Sequence, residues 1–93
     1  MRVLIHPHAF KHGLSPDQIL AAFTTGIDTG IVRSRDRNTD PPRFASIGFD
    51  NEGRAIEFVC AKLVDETVLI FHANYLTAGF RKEYRNGIHR SNR

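Results

Sequence analysis

The sequence predicts a single α+β domain: an antiparallel sheet of about four strands, with an N-terminal and a C-terminal helix packed on it. Three observations lead there. A capped amphipathic stretch, LSPDQILAAF, comes first; alternating apolar runs joined by short polar turns follow; and an apolar repeat every fourth residue comes near the end. At 93 residues the chain suits one modest core, so residues 1–87 are expected to form the domain and 88–93 a basic, disordered tail.

The first helix is the clearest local signal. Ser15 can cap it, Pro16 suits its first position, Asp17 opposes the positive dipole end, and Gln18 completes a capping box. Leu14 and Ile19 have the spacing of a hydrophobic staple. Ile19, Leu20 and Phe23 then form the inward face and Gly26 a stop, which predicts a helix over about 16–25.

Beyond it, Ile31 and Val32 begin a strand and Asp36 to Pro42 read as a polar loop. Ala45, Ile47 and Phe49 alternate with Phe44, Ser46 and Gly48, which predicts a strand with one mainly apolar face. After the turn at Asp50 to Gly53, Ile56, Phe58 and Cys60 share one face and Val59, Ala61 and Leu63 the other, the pattern of a strand covered on both sides. A second turn, Val64-Asp65-Glu66, leads into a strand from Thr67 to Ala73. Leu76, Phe80 and Tyr84 then recur at helical spacing and predict a helix against the sheet, fraying after Gly87.

Composition narrows the function classes. The single cysteine, Cys60, sits in an apolar segment and reads as core, and it has no partner for an internal disulfide. No stretch is long and apolar enough to cross a bilayer, and Met1 to Pro7 are too short for a secretory leader, which predicts a soluble, cytoplasmic protein with no membrane partner. The net charge of +3 is compatible with a polyanion. Arg33, Arg35, Arg37 and Arg43 cluster centrally, and Arg81, Lys82, Arg85, Arg90 and Arg93 crowd the C-terminus. There is no Gly-rich phosphate loop, paired CxxC, GxSxG elbow or HExxH. His6, His8 and His12 read as loop histidines rather than metal ligands, because no acid or cysteine accompanies them.

Several residues admit both a structural and a chemical reading. By simple alternation His72 shares a strand face with Val68 and Ile70; it is either a core-edge histidine or an acid–base group delivered by the strand end. Asn74 either caps the second helix or contacts substrate, and Tyr84 either packs or offers its hydroxyl. Arg81 is expected to be exposed. Lys11 and His12, ahead of the first helix, are loop charges or phosphate ligands, while Arg43 and Arg54 flank a hairpin as strand-end charges or RNA contacts. Cleaving RNA without a metal requires a base for the 2′-hydroxyl, an acid for the leaving oxygen and cations for the phosphorane, and these residue types supply each.

Three segments in order, KHGLSPDQIL, RFASIGFDNEGRAIEFVCA and VLIFHANYLTAGFRKEY, resemble the BrnT-type toxins of bacterial toxin–antitoxin systems, in a form similar to the actinobacterial branch. The likeness rests on Lys11, His12, Gly13 and Ser15, on Arg43, Phe44, Gly48, Asp50, Gly53 and Arg54, and on Arg81 with Tyr84. It covers residues 11 to 84. It implies a RelE-like fold, a type II system toxin acting as an endoribonuclease that needs no metal or cofactor, and a cognate antitoxin through which alone operator DNA is bound. The implied assemblies are a homodimer or a toxin–antitoxin hetero-oligomer, with Arg81 and Lys82 covered by the antitoxin. Within that frame His72 is acid or base, Arg81 with Arg43 or Arg54 holds phosphate, Lys11, His12 and Tyr84 assist, and Asn74 and Lys82 contact RNA. Many members read Ser-Ala-Arg where this chain reads His72-Ala73-Asn74, so an arginine expected near the site is absent. The alternative is therefore a non-catalytic module of the same fold that binds a protein partner or RNA.

Overall fold

Ser15 and Gln18 satisfy each other's backbone. The Ser15 N–H donates to Gln18 Oε1 (2.9 Å) and the Gln18 N–H to Ser15 Oγ (3.2 Å), closing the capping box that starts helix α1, Pro16–Thr29. Leu14 and Ile19 are both buried in the main core, as a staple requires. In this computed structural model, which describes residues 2–29, 32–33 and 40–91, α1 runs past the expected stop at Gly26. Gly26 serves packing instead: a Cβ there would lie 2.4 Å from the Phe58 ring. Leu20, expected to face inward, is 39% exposed, and Ala22 takes the buried position.

The remaining elements are β1 (Arg2–Ile5), β2 (Val32–Arg33), β3 (Arg43–Phe49), β4 (Ala55–Lys62), β5 (Thr67–Tyr75) and α2 (Ala78–Ser91). A 3-10 turn, Pro7–Phe10, follows β1, and another, Val64–Glu66, joins β4 to β5. The expected α+β fold with a helix from each end of the chain is observed, but the sheet is mixed. Its order is β1-β5-β4-β3-β2, and β1 pairs parallel to β5 from Arg2 opposite Thr67 to Ile5 opposite Ile70. The N-terminal residues thus form an edge strand that the local pattern did not announce. Ile31, Arg35, Arg37, Arg93 and most of the expected central loop lie outside the described residues. Helix α2 continues through Ser91, beyond the expected end of order at Gly87.

The helices cover opposite faces of the sheet. On the α1 face, Ile19, Ala22 and Phe23 pack with Ile56, Phe58, Cys60, Val68, Ile70 and Ala73. On the α2 face, Phe80, with partly buried Leu76 and Tyr84, packs on Ala45, Ile47 and Val59. Alternation in β3 predicts one apolar face made by Ala45, Ile47 and Phe49, yet the opposite face, with Ser46 and Gly48, carries the tighter packing. A Cβ at Gly48 would sit 1.8 Å from the Ala22 carbonyl oxygen, and the Ser46 hydroxyl donates to the Gly26 carbonyl (3.0 Å). Small side chains let α1 lie directly on the strand. Phe58, fully buried, contributes roughly 1.5–3 kcal/mol by leaving water.

One irregularity decides the site. Cys60 pairs with Ile70 but Val59 pairs with His72, so Phe71 is an extra residue in β5 with no opposite number. Such a bulge shifts the side-chain alternation by one residue. His72 therefore leaves the face of Val68 and Ile70, where simple alternation places it, and joins Val59 and Glu57 on the α2 face. Ala73 takes the core position instead.

Candidate functional site

Glu57 stands in β4 on the face of Val59, and its side chain is 5% exposed. A carboxylate so buried needs partners. It accepts at Oε1 from the Thr77 N–H (2.8 Å) and the Thr77 hydroxyl (2.7 Å), and its Oε2 lies 2.7 Å from His72 Nε2. Thr77, not Asn74, caps α2, which removes one of the two readings of Asn74: the Thr77 Oγ1 accepts from the Phe80 N–H (3.3 Å) and its carbonyl from the Arg81 N–H (3.0 Å). Glu57 thereby ties the middle of the sheet to the positive end of α2. Asn74, half-buried, is instead part of β5 and lies opposite Glu57 in the ladder.

The bond to Glu57 fixes the His72 tautomer. With Nε2–H donated to the carboxylate, Nδ1 of the neutral ring is left as an acceptor. The ring is 30% exposed, stacks on Phe80 (centroids 6.3 Å apart, 23° between planes) and meets the His12 ring edge-on at 5.6 Å. His12 is exposed and arrives on a segment anchored at the bulge, where the His6 N–H donates to the Ile70 carbonyl (2.7 Å). Two accessible imidazoles thus lie together, one of them oriented by a buried carboxylate.

Of the residues predicted for the site, His72 and His12 are brought into contact. Lys11, beside His12, is exposed. Arg81 and Lys82 are exposed on the first turns of α2, and Tyr84 is half-buried in the cluster with Phe80. Arg43 is exposed, with its guanidinium 4.5 Å above the Phe71 ring. Arg54 is not part of this group. It is held at the β3–β4 turn by Asp50 (Nε to Oδ2, 2.8 Å) and Glu52 (3.3 Å), and lies 5.5 Å from the Tyr75 ring centre.

That turn is a structural lock. Burial favours a neutral Asp50, but its bonds from the Arg54 N–H, Gln18 Nε2, Arg54 Nε and the Glu52 N–H outweigh burial and bring its pKa down to about 2. The same hydrogen bond to Asp50 raises the Arg54 pKa. Gln18 also donates to the Tyr75 hydroxyl (3.0 Å), so the N-terminus of α1, the turn and the end of β5 are joined. Cys60 sits in the core as expected, and burial pushes its thiol up to about 11.

Sequence reasoning passed over Glu57 and Thr77. The signal for Glu57 was present: it shares a strand face with Val59 and Ala61, already read as covered, and a covered carboxylate calls for a partner. Among the described residues no cluster of three or more metal-ligating side chains occurs, and no helix is long and apolar enough to cross a membrane. Compared with known proteins, the chain significantly matches no family model, no curated protein and no solved structure.

Proposed function

We propose that this protein is a cytoplasmic bacterial toxin of a type II toxin–antitoxin system, a metal-independent endoribonuclease that cleaves RNA with a pair of histidines. The observation that carries the reading is the contact between exposed His12 and Glu57-bound His72. His72 Nδ1 takes the proton of a ribose 2′-hydroxyl as the 2′-oxygen bonds to the adjacent phosphorus. Protonated His12 delivers its proton to the 5′-oxygen as the P–O5′ bond breaks. The products are a 2′,3′-cyclic phosphate and a 5′-hydroxyl, with no net change in protons. Exposed Lys11, Arg43 and Arg81 supply positive charge for the phosphorane. Glu57 touches no substrate; it holds the His72 ring and tautomer.

The toxin assignment draws on the three-segment resemblance, and the chemistry draws on the imidazole pair. The second reading, a non-catalytic binding module, is favoured by exposed apolar side chains at Leu20 (39%) and Phe49 (43%). Purified wild type and the His72→Ala variant incubated with total bacterial RNA in excess EDTA separate the two. Cleavage by wild type alone supports the ribonuclease, whereas intact RNA in both assigns the protein to the binding module. Growth arrest on expression, relieved by His72→Ala, tests the toxin role.

A further inference from the structure

The bulge that turns His72 toward α2 also leaves Phe71 outside the ladder, and beside it lies an open cavity of about 450 Å³. His6, His8, Arg43, Ala61, Leu69 and Phe71 are among the residues that line it. Its floor is apolar, and its rim carries the Arg43 guanidinium, the His6 and His8 imidazoles and one carboxylate, Asp40. Arg43 CZ stands 4.5 Å above the centre of the Phe71 ring, and Arg43 itself is exposed, so a flat guanidinium with an aromatic ring beneath it forms one wall. His6 Nδ1 accepts from the His8 N–H (3.0 Å), which leaves the neutral His6 ring a donor at Nε2. The two imidazoles meet edge-on at 5.2 Å.

We propose that this cavity binds one base of a single-stranded RNA, stacked on the Arg43–Phe71 pair, next to the phosphate cleaved at His12 and His72. Unpaired bases bind proteins through aromatic rings and guanidinium planes, and polar groups at the rim meet their edges. The volume suits a base with its ribose, well within the range of small-ligand pockets. Continuity with the cleavage site comes from the backbone. Phe71 and His72 are adjacent in β5, and the segment that carries His6 and His8 ends at His12 against the His72 ring. Arg43, expected from sequence as a phosphate contact, thus offers a stacking plane as well as charge.

This inference rests on RNA being the substrate of the adjacent site, and the test keeps the two separable. A fluorescein-labelled 2′-O-methyl hexanucleotide, uncleavable because its attacking hydroxyl is blocked, is titrated against an abasic hexamer of equal charge, with anisotropy as the readout. Wild type should bind the base-bearing oligomer roughly tenfold or more tightly than the abasic one. Phe71→Leu should remove most of that preference, and Arg43→Lys should reduce it, since charge is kept and the plane lost. Arg43 is exposed, so the lysine variant remains informative even where Phe71→Leu lowers folding stability. His72→Ala should abolish cleavage of ordinary RNA and keep the preference for the base-bearing oligomer. Equal wild-type affinity for the two oligomers, or a preference unaffected by both variants, overturns the base pocket even where cleavage persists. Base-dependent binding without cleavage overturns the nuclease and keeps the pocket; absence of both overturns both.

Discussion

Replacing Glu57 with glutamine separates the proposed chemistry from the fold. Glu57 Oε1 accepts two bonds from Thr77, and only an oxygen can do that, so the glutamine amide must place its oxygen there and its NH₂ toward His72. His72 Nε2 then has to accept, and the ring proton moves to Nδ1. The two Thr77 bonds change from charge-assisted to neutral, about 1 kcal/mol weaker each, partly offset because a buried charge is no longer desolvated; the net loss is roughly 1 kcal/mol. Glu57→Ala instead leaves the Thr77 N–H without its acceptor, at roughly 1–3 kcal/mol, and removes the buried side chain's packing as well. Urea denaturation should rank the variants in that order. With Nδ1 protonated the base is lost, and cleavage should fall by about 10²–10⁴ in Glu57→Gln. Two-bond ¹⁵N–¹H NMR reads the tautomer directly. A tautomer unchanged by Glu57→Gln refutes the orienting role, and full cleavage despite a switched tautomer refutes His72 as the base.

Gly48→Ala drives a Cβ to within 1.8 Å of the Ala22 carbonyl oxygen and must displace α1, so a loss of roughly 1–3 kcal/mol or more is expected by chemical denaturation. Asp50 titrates near 2 when folded against an ordinary value of 3.8, so its contribution is present above about pH 4 and is lost as pH falls through 2; Asp50→Asn should flatten stability against pH in that window. Glu66 holds a left-handed φ of 59°, strained for a side-chain-bearing residue, and Glu66→Gly should raise stability by roughly 0.5–1 kcal/mol in thermal melts. Cys60, with its thiol pushed up to about 11 inside the core, should resist thiol reagents at neutral pH until the chain is denatured.

What the sequence revealed follows the range of the forces involved. The start of α1 was legible because Ser15, Gln18, Leu14 and Ile19 act within a single turn. Its end was misread because Gly26 looks like a stop in isolation and becomes a contact surface only when Phe58 arrives from β4. Strand β1 was missed because its pairing with β5 joins opposite ends of the chain, which no local pattern encodes. The strand alternation that exposed the meander also misplaced His72, since a bulge leaves no mark in composition and inverts every assignment after it. His72 and His12 were singled out by residue type, but their contact was not legible. Glu57, the residue that gives His72 its orientation, was passed over, although it shares the covered strand face of Val59 and Ala61. Arg54, flagged for RNA, also holds Asp50 at the β3–β4 turn, a structural role that the sequence reading did not include.

The most direct measurement is the chemical nature of the ends left on RNA by purified wild-type protein in excess EDTA, compared with His12→Ala and His72→Ala. Wild type should leave 2′,3′-cyclic phosphate and 5′-hydroxyl ends, and each variant should lose cleavage severely. Products ending in 3′-hydroxyls, or the same cleavage by both variants, would contradict cleavage by the histidine pair.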